Sequence, residues 1–163
     1  VRHAEGGLMN NLEIYQALER SELFGCLDKK DLQKIAGLCR EETFEPGHMI
    51  FCQGDTGDGL YIITEGQVAL ERTVDLGTRK GTVVIGMLGK GRAFGCWSTL
   101  LGKPHSFLSS AICQKPTKAL FFSGNEVRAL MLSSAALGFC VLERLCFFLR
   151  DRIQSVYGAM ERL

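Results

Sequence analysis

Acidic residues are missing from a whole third of this chain. Between positions 76 and 125 there is no Asp or Glu, yet seven lysines and arginines fall in that stretch. Residues 1–75 hold fourteen acidic and seven basic side chains, and residues 126–163 hold four and five. The formal net charge of +1 is therefore the sum of unlike blocks. Near-zero overall charge excludes a nucleic-acid binder that works through whole-domain positive charge. The carboxylate-free block has a more local meaning: a pocket folded from it favours an anion. Taken singly, each of these cations reads as decoration of an exposed turn.

Other absences narrow the field further. No run approaches the roughly 18 consecutive apolar residues of a spanning helix, and the polar start lacks the apolar core of a signal peptide. A cytoplasmic chain with no membrane contact is expected. It opens on Val1 rather than Met, which suggests a processed chain or a fragment, with Met9 as a natural start. The seven cysteines include no Cys-x-x-Cys pair and are odd in number. A disulfide framework or zinc site would need closer, paired spacing, so reduced and mostly buried thiols are expected, with no metal or cofactor. His3, His48 and His105 lie far apart, Gly95-Cys96-Trp97-Ser98 is no nucleophile elbow, and no Walker-type Lys follows a Gly-rich loop. With no constellation of acid, base and nucleophile, the chain reads as non-catalytic.

What remains is 163 residues, 46% of them apolar, the size and mix of one globular domain. Residues 1–10 read as a flexible start and 11–42 as N-terminal helices. Asp28 with Asp31 resembles an N-cap and its acidic third position, and Leu32, Ile35, Ala36 and Cys39 form one apolar stripe. Leu12, Tyr15, Leu18 and Leu23 suggest an earlier helix. Residues 43–122 change to short strand-like runs, at 48–53, 60–64, 67–73, 82–88, 107–113 and 117–122. Turn-formers separate them, among them Glu45-Pro46-Gly47, Glu65-Gly66 and Gly102-Lys103-Pro104. Many short strands at close spacing predict a sandwich or roll. Residues 123–163 return to helix, opened by a Ser123–Glu126 capping box. In the last helix, Phe139, Cys146, Ile153 and Met160 hold one heptad position and Leu142, Leu149, Val156 and Leu163 its partner. That seam predicts pairing with a twin helix, while Val141, Leu145, Phe147 and Phe148 widen the apolar face towards the chain's own roll.

Three stretches carry a specific resemblance. Phe44-x-x-Gly47-x-x-Ile50-x-x-x-Gly54 leads into Asp58-Gly59-Leu60-Tyr61-Ile62-Ile63-x-x-Gly66-x-Val68-x-Leu70, and Leu88-x-x-Gly91-x-x-Phe94-Gly95 follows. Together they resemble the cyclic-nucleotide-binding domain of catabolite activator proteins and protein kinase A regulatory subunits, over about Leu12 to Leu163. The resemblance implies a mainly β fold with flanking helices: a double-stranded β-helix, or jelly roll, ending in a long dimerisation helix. It places a phosphate-binding cassette at 94–111, where amides near Gly95, Cys96 and Trp97 would face a phosphate at a helix N-terminus.

The family's Glu after Phe-Gly is Cys96 here, and its Arg after Pro is His105, followed by Ser106. Losing two charge-assisted contacts of about 1.5–3 kcal/mol each weakens nucleotide binding on the order of a hundredfold or more. The candidate ligand residues are therefore Phe94, Gly95, Cys96, Trp97, Ser98, His105, Ser106 and Arg152, with Arg92 or Arg150 as other sources of charge. Cys96 reads either as an activated thiol at a helix N-terminus or, preferably, as an inert residue filling the vacated Glu space. Trp97 reads as a stacking platform or as packing. The expected function is a regulatory sensor for a cyclic nucleotide or related small anion, homodimeric through its last helix, with no direct contact to nucleic acid. The alternatives are a non-binding dimerisation or docking scaffold, and the sensor part of a transcription regulator without its DNA-binding part.

Overall fold

The computed structural model describes residues 8–75 and 77–161. Residues 1–7 of the expected flexible start, and Leu163 at the end of the expected seam, lie outside the described residues. The chain opens with α1 (Asn11–Glu19) and α2 (Lys29–Ala36). The expected helical stretch 11–42 is cut short by the first strand, β1 (Arg40–Phe44), which none of the strand-like runs announced and which exists through its pairing with residues 117–121. Asp28 caps α2, accepting from the Asp31 N–H at 2.8 Å. At α1 the cap is a reciprocal box that the sequence reading missed: Asn10 accepts from the Glu13 N–H, and Glu13 accepts from the Asn10 N–H.

Two antiparallel four-stranded sheets form the roll. One runs β1, β10 (Thr117–Ser123), β4 (Gly59–Glu65), β7 (Ala93–Phe94); the other runs β2 (Met49–Phe51), β9 (Ser110–Cys113), β5 (Val68–Asp75), β6 (Lys80–Leu88). A small ribbon pairs β3 (Thr56–Gly57) with β8 (His105–Ser106). Between the sheets lies one core, built on Phe51, Ile63, Val68, Leu88, Phe94 and Phe107. The outer face of the first sheet carries a second, where Leu60, Ile62, Leu120 and Phe122 meet Leu18, Phe24, Ile35 and Leu145 from the helices. The period-2 alternation along β4 thus feeds two cores rather than one core and solvent.

The helices that close the chain are α4 (Gly124–Ser133) and α5 (Ala135–Met160). The predicted capping box at Ser123 is a correction, because its side chain makes no cap bond. Ser123 is still the last rung of β10, opposite Gly59, and the buried Gly124 N–H is instead taken by the Asp58 carbonyl at 2.8 Å. Along α5, Leu137, Val141, Leu145 and Phe148 are buried on the roll, and Phe139, Leu142 and Cys146 face outwards. Leu149, Ile153, Val156 and Met160, expected in the seam with a twin helix, instead line a cavity of the chain itself, because the second half of α5 turns that face towards the roll.

The thiols also depart from expectation. Cys26 and Cys140 form a disulfide with their Cα atoms 6.3 Å apart, and of the other five only Cys96 and Cys113 are buried. The partners are 114 positions apart, brought together because α5 folds back over the segment between α1 and α2, so no local spacing announces the pair.

Candidate functional site

The site begins where β7 pairs with β4, Phe94 against Tyr61 and Ala93 against Ile62. The next residue, Gly95, takes φ +79°, and a Cβ there would lie 2.4 Å from the Gly59 carbonyl oxygen. Only glycine fits that turn. It delivers Cys96 to the head of α3 (Trp97–Leu101), which ends at Gly102 in the left-handed region. Two side chains fasten this short helix. The buried Ser98 hydroxyl donates to the Asp58 carbonyl at 2.8 Å, and Arg128 of α4 donates to the Thr99 and Leu100 carbonyls at its C-terminal end.

Beside α3 opens a cavity of about 660 Å³. One wall is the roll, with Phe51, Leu70, Val83, Ile85, Phe107 and Leu108. The cassette contributes Phe94, Gly95, Cys96, Trp97 and Leu100, and the second half of α5 supplies Phe148, Leu149, Ile153, Val156, Tyr157 and Met160. Among the described residues, the charged side chains in the lining are Arg72 and Arg152, with no carboxylate.

Arg152 belongs to a compact charge cluster. Its Nη2 donates to the Ala93 carbonyl at 3.0 Å and reaches Glu22 Oε1 at 3.4 Å. Glu22 accepts from the buried Ala93 N–H at 2.6 Å and pairs with Arg92 Nε at 3.0 Å. One carboxylate thus serves two guanidinium groups, leaving the trio with a surplus positive charge. Across the cavity, Arg72 donates to the Leu108 carbonyl at 2.9 Å.

Of the expected ligand residues, Phe94, Gly95, Cys96, Trp97 and Arg152 meet around this cavity, whereas Ser98, His105 and Ser106 are not in its lining. Ser98 is occupied holding α3, and Ser106 is exposed on β8 opposite Thr56. His105 sits edge-on to Phe107 at 5.2 Å, and neither ring nitrogen finds a partner. Burial lowers its pKa, so it is neutral near pH 7 and supplies no charge in place of the family's Arg. At Cys96, burial pushes the thiol up to about 12; Arg152 pulls it down only partly, and Glu22 raises it further. The thiolate expected from a helix N-terminus is overridden by desolvation, and the inert, space-filling reading describes this side chain. Sequence reasoning missed Glu22 and Arg72. Glu22's only signal is its place beside the apolar pair Leu23-Phe24, and Arg72's is its phase, since it continues the Val68 and Leu70 face of its alternating strand.

No helix among the described residues is long and apolar enough to cross a membrane. The model for the cyclic nucleotide-binding domain matches residues 41–134. The chain is 31% identical over 114 residues to the cyclic AMP receptor protein of Thermus thermophilus, covering 70% of this chain and 50% of that one. It is 28% identical over 89 residues to a cGMP-dependent protein kinase of Caenorhabditis briggsae, covering 55% of this chain and 12% of the kinase. The chain thus spans half or less of these curated relatives. Among solved structures, a cyclic nucleotide-binding domain from Methylobacillus flagellatus superimposes with a TM-score of 0.74 at 23% identity, covering 91% of this chain and 80% of that one. The catabolite activator protein of Thermus thermophilus gives 0.66 at 28% identity, over 86% and 62%.

Proposed function

This chain belongs to the cyclic nucleotide-binding domain family, a regulatory rather than catalytic fold, and from that premise we propose that it is a ligand-sensing module. In this reading a small anion enters the cavity between the cassette and α5 and biases the packing of α5, which pairs with its twin in a homodimer. The observation that carries the proposal is the shared cavity: Phe94 to Trp97 and the second half of α5 line one space, so an occupant touches both. The outward face of Phe139, Leu142 and Cys146, clear of the cavity, supports the dimer. Arg152, surplus in its charge cluster, is the residue proposed to draw the anion. The proposed role of Ser98, His105 and Ser106 is to shape the cassette from behind.

Cyclic nucleotide is the family's ligand class, and tight binding of ordinary cyclic AMP is no part of the proposal, since Cys96 and His105 bring no charge. The proposal places the module in the cytoplasm. Thiols are kept reduced there, so the Cys26–Cys140 bond would form only under oxidation. The test is hydrogen exchange on α5 during titration with cyclic AMP, cyclic GMP and a cyclic dinucleotide. Saturable binding with altered exchange at residues 148–160 is the expected result. Saturation with unchanged exchange would overturn the coupling, and no binding by any anion would favour the scaffold reading.

A further inference from the structure

Resting on the reading that the cavity takes a ligand, we propose that its occupant is an amphiphilic monoanion: a carboxylate with a long apolar body, of the fatty-acid kind. The walls argue for the body. Aromatic and aliphatic side chains from three walls, the roll, the cassette and α5, face a space of about 660 Å³, within the range of small-molecule sites. Its uncharged polar side-chain groups are few, chiefly Ser109, Tyr157, the Trp97 indole and the protonated Cys96 thiol. A nucleotide placed here would bury hydroxyls and ring nitrogens with hardly any partners, which is unfavourable for each. An apolar chain has no such groups. It would also cover Trp97, Leu108, Ile153, Tyr157 and Met160, which line the cavity yet are large, apolar and exposed.

The charges argue for the head group. Arg152 uses only Nη2, and its Nε and Nη1 bond to nothing among the described residues. Its trio with Glu22 and Arg92 keeps one positive charge, Arg72 adds another on the opposite wall, and no carboxylate among the described lining residues cancels them. One anionic group satisfies this end, and a guanidinium presents paired donors suited to a carboxylate.

The chain carries its own reporter, since Trp97 is the sole tryptophan and lines the cavity. The full chain would be titrated with dodecanoate below its micellar range, with dodecanol and with cyclic AMP, following Trp97 emission. Dodecanoate should shift the emission to the blue saturably and bind roughly tenfold or more tighter than dodecanol, because only it meets the arginines. Val83 stands opposite Arg72 in the β5–β6 ladder and lines the cavity, so Val83→Glu should weaken dodecanoate about tenfold more than it weakens dodecanol, which shares the loss of apolar wall but not the charge repulsion. Leu108→Glu, at a more exposed lining position, serves as the second variant should Val83→Glu not fold.

Dodecanol binding as tightly as dodecanoate, or dodecanoate binding unaffected by either substitution, would overturn the proposal. Cyclic AMP binding at lower concentration than dodecanoate would overturn the ligand class and leave the sensor reading standing. Dodecanoate binding with unchanged exchange on α5 would do the reverse. Silence from all three compounds would remove both.

Discussion

Removing the Glu22 carboxylate should cost more than any surface charge of this protein, and the cost can be built from three contacts. Glu22 accepts from the Ala93 N–H at 2.6 Å, and Ala93 is fully buried, so deleting the acceptor strands a donor away from water. That alone costs about 1–3 kcal/mol. The second contact is Arg152, whose side chain is 19% exposed and which keeps only the Ala93 carbonyl when Glu22 is gone. Breaking a pair this buried adds about 1–2 kcal/mol, below the cost of a fully enclosed one. Arg92 is 41% exposed, and water takes over most of its share.

Glu22→Ala should therefore destabilise the fold by about 2–5 kcal/mol. Glu22→Gln keeps an oxygen for Ala93 and loses only charge, so about 1–2 kcal/mol is expected. The assay is equilibrium unfolding in urea at pH 7 and low salt, accepting only variants with an unchanged slope. A Glu22→Ala protein within about 1 kcal/mol of the parent would refute the reasoning, since the contacts would then carry no net stability. So would a Glu22→Gln protein as unstable as Glu22→Ala, because it would mean the charge, not the Ala93 bond, dominates.

Further outcomes follow from other parts of the fold. Gly95→Ala, with a Cβ 2.4 Å from the Gly59 carbonyl, should lose several kcal/mol, whereas Gly54→Ala, at φ +91° in open space, should lose about 1–2 kcal/mol; thermal melts of the pair giving equal losses would count against the tight turn. The Cys26–Cys140 bond closes a loop with a sequence separation of 114, so reduction should lower stability by about 2–5 kcal/mol, and a Cys26→Ser, Cys140→Ser double variant should be indifferent to reductant. An unchanged urea midpoint on reduction of the parent would contradict the bond.

His105 has a folded-state pKa lowered by burial, so the unfolded chain binds its proton more readily. Stability tied to neutral His105 is complete above an unfolded pKa of about 6.5 and falls as pH drops below it. His105→Gln should flatten that acid-side loss, and a parallel profile would place the loss elsewhere. Phe139→Glu, on the outward face of α5, should halve the mass in light scattering while leaving the melting temperature of the domain nearly intact. A mass that does not change would remove the seam.

Much of the architecture was legible because it is written in local patterns. Gly-punctuated alternation marked six of the strands, the Asp28–Asp31 cap marked α2, and the apolar heptads marked α5. The short strands β3, β7 and β8 were not legible, since two residues carry no periodicity and exist only through their partners. Ser123 shows how a local rule yields: its cap motif is present, but its backbone is committed to β10.

At the site, the sequence by itself determined the loss of two charged side chains, at Cys96 and His105, and the Gly95 turn that sets the cassette. It also determined the carboxylate-free block, since composition needs no fold to be read. Only the tertiary structure decided which of those cations matter. Lys90, Lys103, Lys115 and Lys118 do not line the cavity, and its charge comes from Arg72 and Arg152, both outside that block. The pairing of Glu22 with a residue 130 positions away is likewise set by packing. So are the buried thiol of Cys96 and the neutral ring of His105. Charge acts over a few ångströms through a medium whose polarity depends on burial, and neither distance nor burial is fixed until the helices close on the roll.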